Sequence, residues 1–161
     1  MSLQRSEGIM EERSVTHSTF VIERFYPTAP ERVFAAFSDP RKKRRWFAEG
    51  EGFAIESFTM DFRVGGREQA CFRLPDGRPC RNDTVYQNIL PGRHIVIAYT
   101  MTLGDQCISS SQATFEFQSV KNETNLVFTE QAAFFAGADG PQMREAGWRK
   151  LLEQLAEEMA R

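Results

Sequence analysis

The sequence lacks most of what would announce a chemistry. It has no apolar run of about 18 residues, the length at which a helix crosses a bilayer. Its first 17 residues are polar and mixed in charge, without the apolar middle of a secretory signal. No membrane insertion and a cytoplasmic location are the expectations. The cysteines, Cys71, Cys80 and Cys107, are an odd number at wide spacing, which fits neither a disulfide framework nor a zinc site. Reduced, mostly buried thiols follow. Cys71 and Cys80 flank the turn Pro75–Pro79 and can lie near each other on one face of a hairpin, but a cytosolic setting argues against a bond.

Histidine is equally scarce. His17 and His94 lie far apart, so spacing suggests neither a metal pair nor a Ser-His-Asp arrangement, and His94 reads as a surface or rim residue. Ser109-Ser110-Ser111 has no glycine elbow around it and reads as an alternating polar strand. Net charge is also small: 20 Lys and Arg against 22 Asp and Glu give −2, which does not equip the protein to neutralise a polyanion. Nucleic acid is therefore not an expected partner. No catalytic residue, metal ligand or cofactor follows from the sequence, and no internal repeat or low-complexity tract is present.

What the chain does have is apolar and aromatic substance: 41% hydrophobic residues, with 14 Phe, 3 Tyr and 2 Trp. At 161 residues this suits one domain with a sizeable core. Residues 1–18 show no periodicity and are expected to form a flexible arm, leaving 19–161 as the domain. Phe20, Val21, Ile22, Phe25 and Tyr26 argue for a strand closed by Pro27. Pro30 then opens a helix carried by Val33, Phe34 and Phe37 and stopped at Ser38-Asp39-Pro40; a second short helix runs from Pro40 to about Phe47.

From Phe53 to Gln131 the signals are β, cut by turns at Gly65-Gly66, Asp76-Gly77, Pro91-Gly92, Gly104-Asp105 and Lys121-Asn122. The spacing is that of hairpins and predicts an antiparallel sheet of about seven strands in all. After a loop, Trp148, Leu151, Leu152, Leu155 and Met159 form one apolar stripe, with Arg149, Lys150, Glu153, Glu157 and Glu158 on the other side. The class is α+β: a sheet with one long helical stripe to bury can curl around that helix.

Several segments, in order, resemble the AHSA-type family, named for homology to the activator of the heat-shock-protein-90 ATPase, within the START-like (SRPBCC) superfamily. They are Ala29-Pro-Glu-Arg-Val-Phe34, Ser38-Asp-Pro40 with Trp46, Asp61-Phe-Arg-Val-Gly-Gly66, Pro91-Gly-Arg-His-Ile-Val96 and Gly147-Trp148. The likeness spans about Phe20 to Ala160. It implies a helix-grip fold, with about seven strands gripping the C-terminal helix, two short helices at one end and an apolar cavity between sheet and helix. The superfamily includes lipid and sterol carriers and polyketide cyclases. One departure is Trp46-Phe47, where the family often carries Trp-Trp.

Within such a cavity the expected ligand-binding residues are Trp46, Phe62, Tyr86, Tyr99, Phe115, Phe128, Trp148 and the carboxylate of Glu130. Glu130 shares strand register with Leu126 and Phe128, so it points inward with them unless the strand has already ended. The register between the strands meeting at Leu103 and Gln106 is open, and a slip of one residue would turn every ring there outward. The basic run Arg41-Lys-Lys-Arg-Arg45 reads as the wet side of a short helix or the rim of the cavity mouth, offset by Glu49 and Glu51.

The stretch Asp61-Phe-Arg-Val-Gly-Gly-Arg67 leads into a strand and not a helix, so its glycines read as a corner of the sheet and not as a phosphate cradle. Three functions stay open: a non-enzymatic module for a small apolar or amphipathic ligand, a co-chaperone-like protein-interaction domain, and a cyclase or hydrolase using Glu130 and Tyr99. The partners to test are a small apolar ligand, a chaperone or other protein, and a second copy of the chain in a homodimer.

Overall fold

The computed structural model describes residues 14–50 and 54–161. Strand β1 spans Thr16–Tyr26, three residues longer at its start than the hydrophobic pattern predicts. The reason is its partner: β7 (Glu123–Phe134) runs past Gln131 and offers backbone partners to Thr16, His17 and Ser18. Residues 1–13 of the expected arm, and Glu51 and Phe53, lie outside the described residues.

Helix α1 (Pro30–Ser38) begins on a proline, whose missing N–H costs nothing in the first turn. Asp39 ends it and starts the next, its Oδ1 accepting from the N–H groups of Arg41 (2.9 Å) and Lys42 (3.3 Å). Helix α2 (Pro40–Lys43) then widens into a π-helical turn over Arg44–Ala48. That wider turn lets Trp46, Phe47 and Ala48, three consecutive residues, all be buried.

The remaining strands are β2 (Ala54–Met60), β3 (Arg67–Arg73), β4 (Pro79–Leu90), β5 (His94–Leu103) and β6 (Gln106–Val120). With β1 and β7 they form one antiparallel sheet in the order β1-β7-β6-β5-β4-β3-β2, curled around helix α3 (Pro141–Met159). The open register resolves with Tyr99 opposite Ser111 and Ile95 opposite Phe115, and Ile108 takes up the extra residue as a bulge. Tyr99 and Phe115 therefore face inward, as does Glu130, which stands mid-strand between Phe128 and Ala132.

Trp148, Leu152 and Leu155 of α3 are buried against the sheet, with Leu151 and Met159 half-buried beside them. The Tyr26 hydroxyl donates to the Leu152 carbonyl at 2.8 Å, and Trp46 Nε1 to the Ala36 carbonyl at 2.8 Å, so aromatic residues on β1 and in the π turn tie the helices in place. Two expectations on polar faces are corrected. Glu158, assigned to the wet side of α3, is only 7% exposed because Arg45 grips its carboxylate. Cys71 and Cys80 do not share a face: Cys80 pairs with Phe72, one residue beyond Cys71, and the alternation of a strand puts the two thiols on opposite sides. Among the described residues, no helix is long and apolar enough to cross a membrane.

The Asp61–Arg67 stretch is a corner between β2 and β3. The Gly65 N–H donates to the Tyr86 carbonyl (2.8 Å) and the Gly66 carbonyl accepts from the Tyr86 N–H (3.0 Å), so this turn is stitched to β4 where Gln87 bulges out of the ladder. Gly65 sits at φ +81°, and a Cβ on Gly66 would lie 2.1 Å from the Asp61 carbonyl oxygen. Gly65→Ala is expected to lower unfolding free energy by about 1–2 kcal/mol, the left-handed penalty, and Gly66→Ala by about 3 kcal/mol or more because backbone must move. Urea titration ranks the two; equal, small losses would contradict the corner's geometry.

Candidate functional site

Between the inner faces of β3, β4 and β5 and the first half of α3 lies a cavity of about 270 Å³, just under the ~300–1,000 Å³ common among ligand pockets. Strand alternation delivers its wall: Glu68 and Phe72 from β3, Cys80, Asn82 and Thr84 from β4, Ile97, Tyr99 and Met101 from β5. Phe47 comes from the π turn, and Trp148 and Leu151 from α3. Met143, 67% exposed, and Gly147 mark the side that reaches solvent. Gly147 stands inside a helix, where glycine costs about 1 kcal/mol relative to alanine. A Cβ there would meet nothing within 4 Å. No close approach requires the glycine, which is exposed at the cavity mouth.

Two polar clusters break the apolar wall. In the first, Lys43 Nζ lies 3.2 Å from Glu68 Oε1, and both side chains are buried. The Tyr86 hydroxyl donates to the same oxygen at 2.5 Å. The ammonium also lies 4.7 Å from the Phe47 ring centre and 5.3 Å from that of Trp46. Burial, helped by the Glu68 charge, pushes the Tyr86 hydroxyl well up, so it serves as a fixed donor.

The second cluster fastens α3. Arg144, 5% exposed, donates through Nε and Nη2 to the two Asp139 oxygens (3.0 and 2.9 Å), through Nη2 to Ser109 Oγ (2.8 Å) and through Nη1 to the Tyr99 hydroxyl (3.1 Å). The Tyr99 hydroxyl donates in turn to Glu130 Oε1, which also accepts from Trp148 Nε1 at 3.1 Å. Glu130 Oε2 has no hydrogen-bond partner, and its closest charged neighbour, Arg144 Nη1, is 3.8 Å away. Burial pushes the Glu130 carboxyl up, against the hydrogen bonds from Tyr99 and Trp148 and the charge of Arg144, which lower it. The Tyr99 oxygen donates once and accepts twice, from Arg144 and from Trp148 (3.2 Å), and so has no capacity left for a reacting group.

Residues 27–160 match the profile of AHSA1, the activator of Hsp90 ATPase homolog 1-like protein family. The chain belongs to the AHSA1 family. Among solved structures, the Mll3558 protein of Rhizobium loti is 46% identical over 91% of this chain and 99% of its own, with a TM-score of 0.84. A protein of Rhizobium leguminosarum is 36% identical over 93% and 99%, with a TM-score of 0.88. An AHSA1-like protein of Aeromonas hydrophila, 19% identical over 89% and 92% with a TM-score of 0.68, shares the fold. A search of curated proteins finds no match.

On this AHSA1 frame two of the eight residues expected from the sequence, Tyr99 and Trp148, stand on the cavity wall. Trp46, Phe115 and Phe128 pack behind it in one ring cluster with Phe37 and Trp148. Phe62 and Tyr86 stack edge to face at 5.0 Å, and Phe34 closes on Phe62 at 5.7 Å, near the Gly65-Gly66 corner. Glu130 is behind Tyr99 and Trp148, joined to the wall only through their hydrogen bonds. The sequence reading missed Lys43, Glu68, Asn82, Arg144 and Gly147. Two carried a signal: Glu68 alternates with Ala70 and Phe72, and Arg144 lies four residues before Trp148 on the same stripe.

The basic run is corrected at Lys43, which is buried on Glu68. Arg44 pairs with Glu49 at 2.7 Å on the surface, as the expected offset, and Arg45 with Glu158, so three of the run's five charges have a carboxylate partner. Among the described residues no cluster of His, Cys, Asp or Glu is arranged to hold a metal ion.

The raised Glu130 carboxyl has a signed consequence. Below the ordinary glutamate value of 4.5 both native and unfolded chains hold the proton. Above it the unfolded carboxyl ionises first, so the native state binds more protons and stability falls as pH rises through the native pKa. Glu130→Gln should flatten that limb, by up to about 1.4 kcal/mol per pH unit. Denaturation midpoints from pH 4 to 9 read it; an unchanged slope in the variant would locate the titration elsewhere.

Proposed function

We propose that this AHSA1-family domain is a non-enzymatic binding module that holds a small apolar or amphipathic molecule between its sheet and helix α3. The observation that carries it is the largely apolar cavity of about 270 Å³ that reaches solvent beside Met143 and the helical Gly147. An alanine at 147 would favour the helix by about 1 kcal/mol, and no contact forbids one. A chain that needed only a packed core would gain from filling that space. A reducing compartment such as the cytoplasm suits its three free thiols.

The family's description as activator of Hsp90 ATPase homolog supports the second reading, a co-chaperone-like docking domain. Against it, three of the five basic residues in the strongest charge run are already paired with carboxylates of the same chain. An enzyme of the cyclase or hydrolase kind has less support, because the Tyr99 hydroxyl is saturated and Glu130 stands behind the wall.

Titration with the fluorescent apolar amine N-phenyl-1-naphthylamine, alongside mass spectrometry of gently purified protein, tests the cavity. Wild type should bind the probe at micromolar concentration, and Gly147→Phe should bind at least about tenfold more weakly while melting no lower, since the ring enters open space. A wild type that binds neither the probe nor a copurified molecule would sink the reading. A pull-down with purified Hsp90 separates the alternative.

A further inference from the structure

The charges on the cavity wall are matched in pairs. Lys43 faces Glu68 at 3.2 Å, and Arg144 is gripped by both oxygens of Asp139 at 2.9 and 3.0 Å. Two cations and two carboxylates leave the wall with no unbalanced charge. Glu130 does not border the cavity, since it sits behind Tyr99 and Trp148. Lys150 at the mouth is exposed and keeps its charge in water. An ionic group seated inside, away from Lys150, would have to give up its hydration without gaining a counter-ion, or else break an existing pair; either costs several kcal/mol.

One hydrogen-bonding group on the wall is unmatched. Asn82 faces inward between Cys80 and Thr84 on β4, opposite Ala70 and Met101, and its buried Oδ1 has no hydrogen-bond partner. A buried amide oxygen without a donor costs about 1–3 kcal/mol. As the side chain stands, Oδ1 has no accessible surface; with the amide turned toward the cavity a ligand hydroxyl would recover much of that cost, and its apolar body would lie against Phe47, Phe72, Ile97 and Trp148.

We infer that the cavity selects an uncharged amphiphile of the phenol or alcohol class, with its hydroxyl donating to Asn82 Oδ1, and rejects anions and cations of the same shape. This rests on the ligand-cavity reading above and names its substrate class. Calorimetric titration of the full chain at pH 7 with four matched probes tests it: 1-naphthol, naphthalene, 1-naphthoate and 1-naphthylmethylammonium. 1-Naphthol should bind about tenfold more tightly than either ion and than naphthalene. Asn82→Leu should erase the advantage over naphthalene and leave naphthalene itself bound. Glu68→Gln, which leaves Lys43 without its counter-charge, should raise naphthoate affinity about tenfold while the ammonium probe weakens, an independent arm if the Asn82 variant fails to fold. Either ion binding as tightly as 1-naphthol, or a 1-naphthol preference that survives Asn82→Leu, would overturn the selection while the cavity reading stands. Failure of all four probes to bind would overturn both.

Discussion

Burial of one guanidinium governs the geometry of this domain. Arg144 lies on the same stripe of α3 as Trp148 and Leu152, so packing the helix into the sheet takes its charge out of water. A buried arginine persists only when its donors are matched. The matches come from the 135–140 loop (Asp139), β5 (Tyr99) and β6 (Ser109), with Glu130 of β7 one bond further on. Three strands and the loop that leads into the helix thereby fix the rotation and axial position of the first half of α3. Trp148, one turn along, is held by the same group through its indole N–H. The second half is held differently, by Leu152 and Leu155 in the core and by the Tyr26 hydroxyl on a helix carbonyl. Polar fastening at one end and apolar packing at the other let the helix stand off the sheet between β3, β4 and β5, where the cavity lies.

The fold was legible in the sequence because its signals are local and repeat. Hairpin turns at Gly65-Gly66, Asp76-Gly77, Pro91-Gly92, Gly104-Asp105 and Lys121-Asn122 each fall between observed strands, and the stripe from Trp148 to Met159 falls on α3. Strand ends were less legible, because residues such as Thr16 to Ser18 join β1 through backbone pairing with β7, which side-chain pattern does not encode. The site was legible only in part. Aromatic character identifies residues that avoid water, and most rings satisfy that by packing on one another, as Phe37, Trp46, Phe115 and Phe128 do. Which rings border open space depends on the space between elements, a property of the tertiary arrangement alone. Asn82, polar and flanked by Arg81 and Asp83, gives no hint in the sequence that it faces inward.

Charge shows the same limit. A run of five basic residues reads as a surface patch, yet Lys43, at the end of α2, is buried on Glu68, and Arg45, in the π turn that follows, reaches Glu158 of α3. Glu68 and Glu158, spaced as ordinary strand and helix positions, are the carboxylates that make this tolerable. Their pairing joins the short helices to β3 and to the far end of α3. A patch available to an acidic partner and a set of internal ties make opposite demands on the same side chains, and most of the run serves the second.

That the buried ions balance within the protein bears on how the cavity can work. Each buried cation on the wall, Lys43 and Arg144, has its counter-charge on another segment of the same fold, so no bound molecule is needed to balance the interior. The apolar lining is different: atoms that border a space lack the dispersion contacts that a packed neighbour would supply. Stability contributed by the wall is therefore lowest where Gly147, Met143 and Leu151 border the cavity, and highest where Arg144 and Leu152 hold the helix on either side. A ligand would supply contacts to the first set and leave the second unchanged. Recognition of the proposed ligand by such a wall would rest on shape and on the unmatched amide oxygen of Asn82, so hydrogen-bond complementarity and not net charge would be the basis of selectivity.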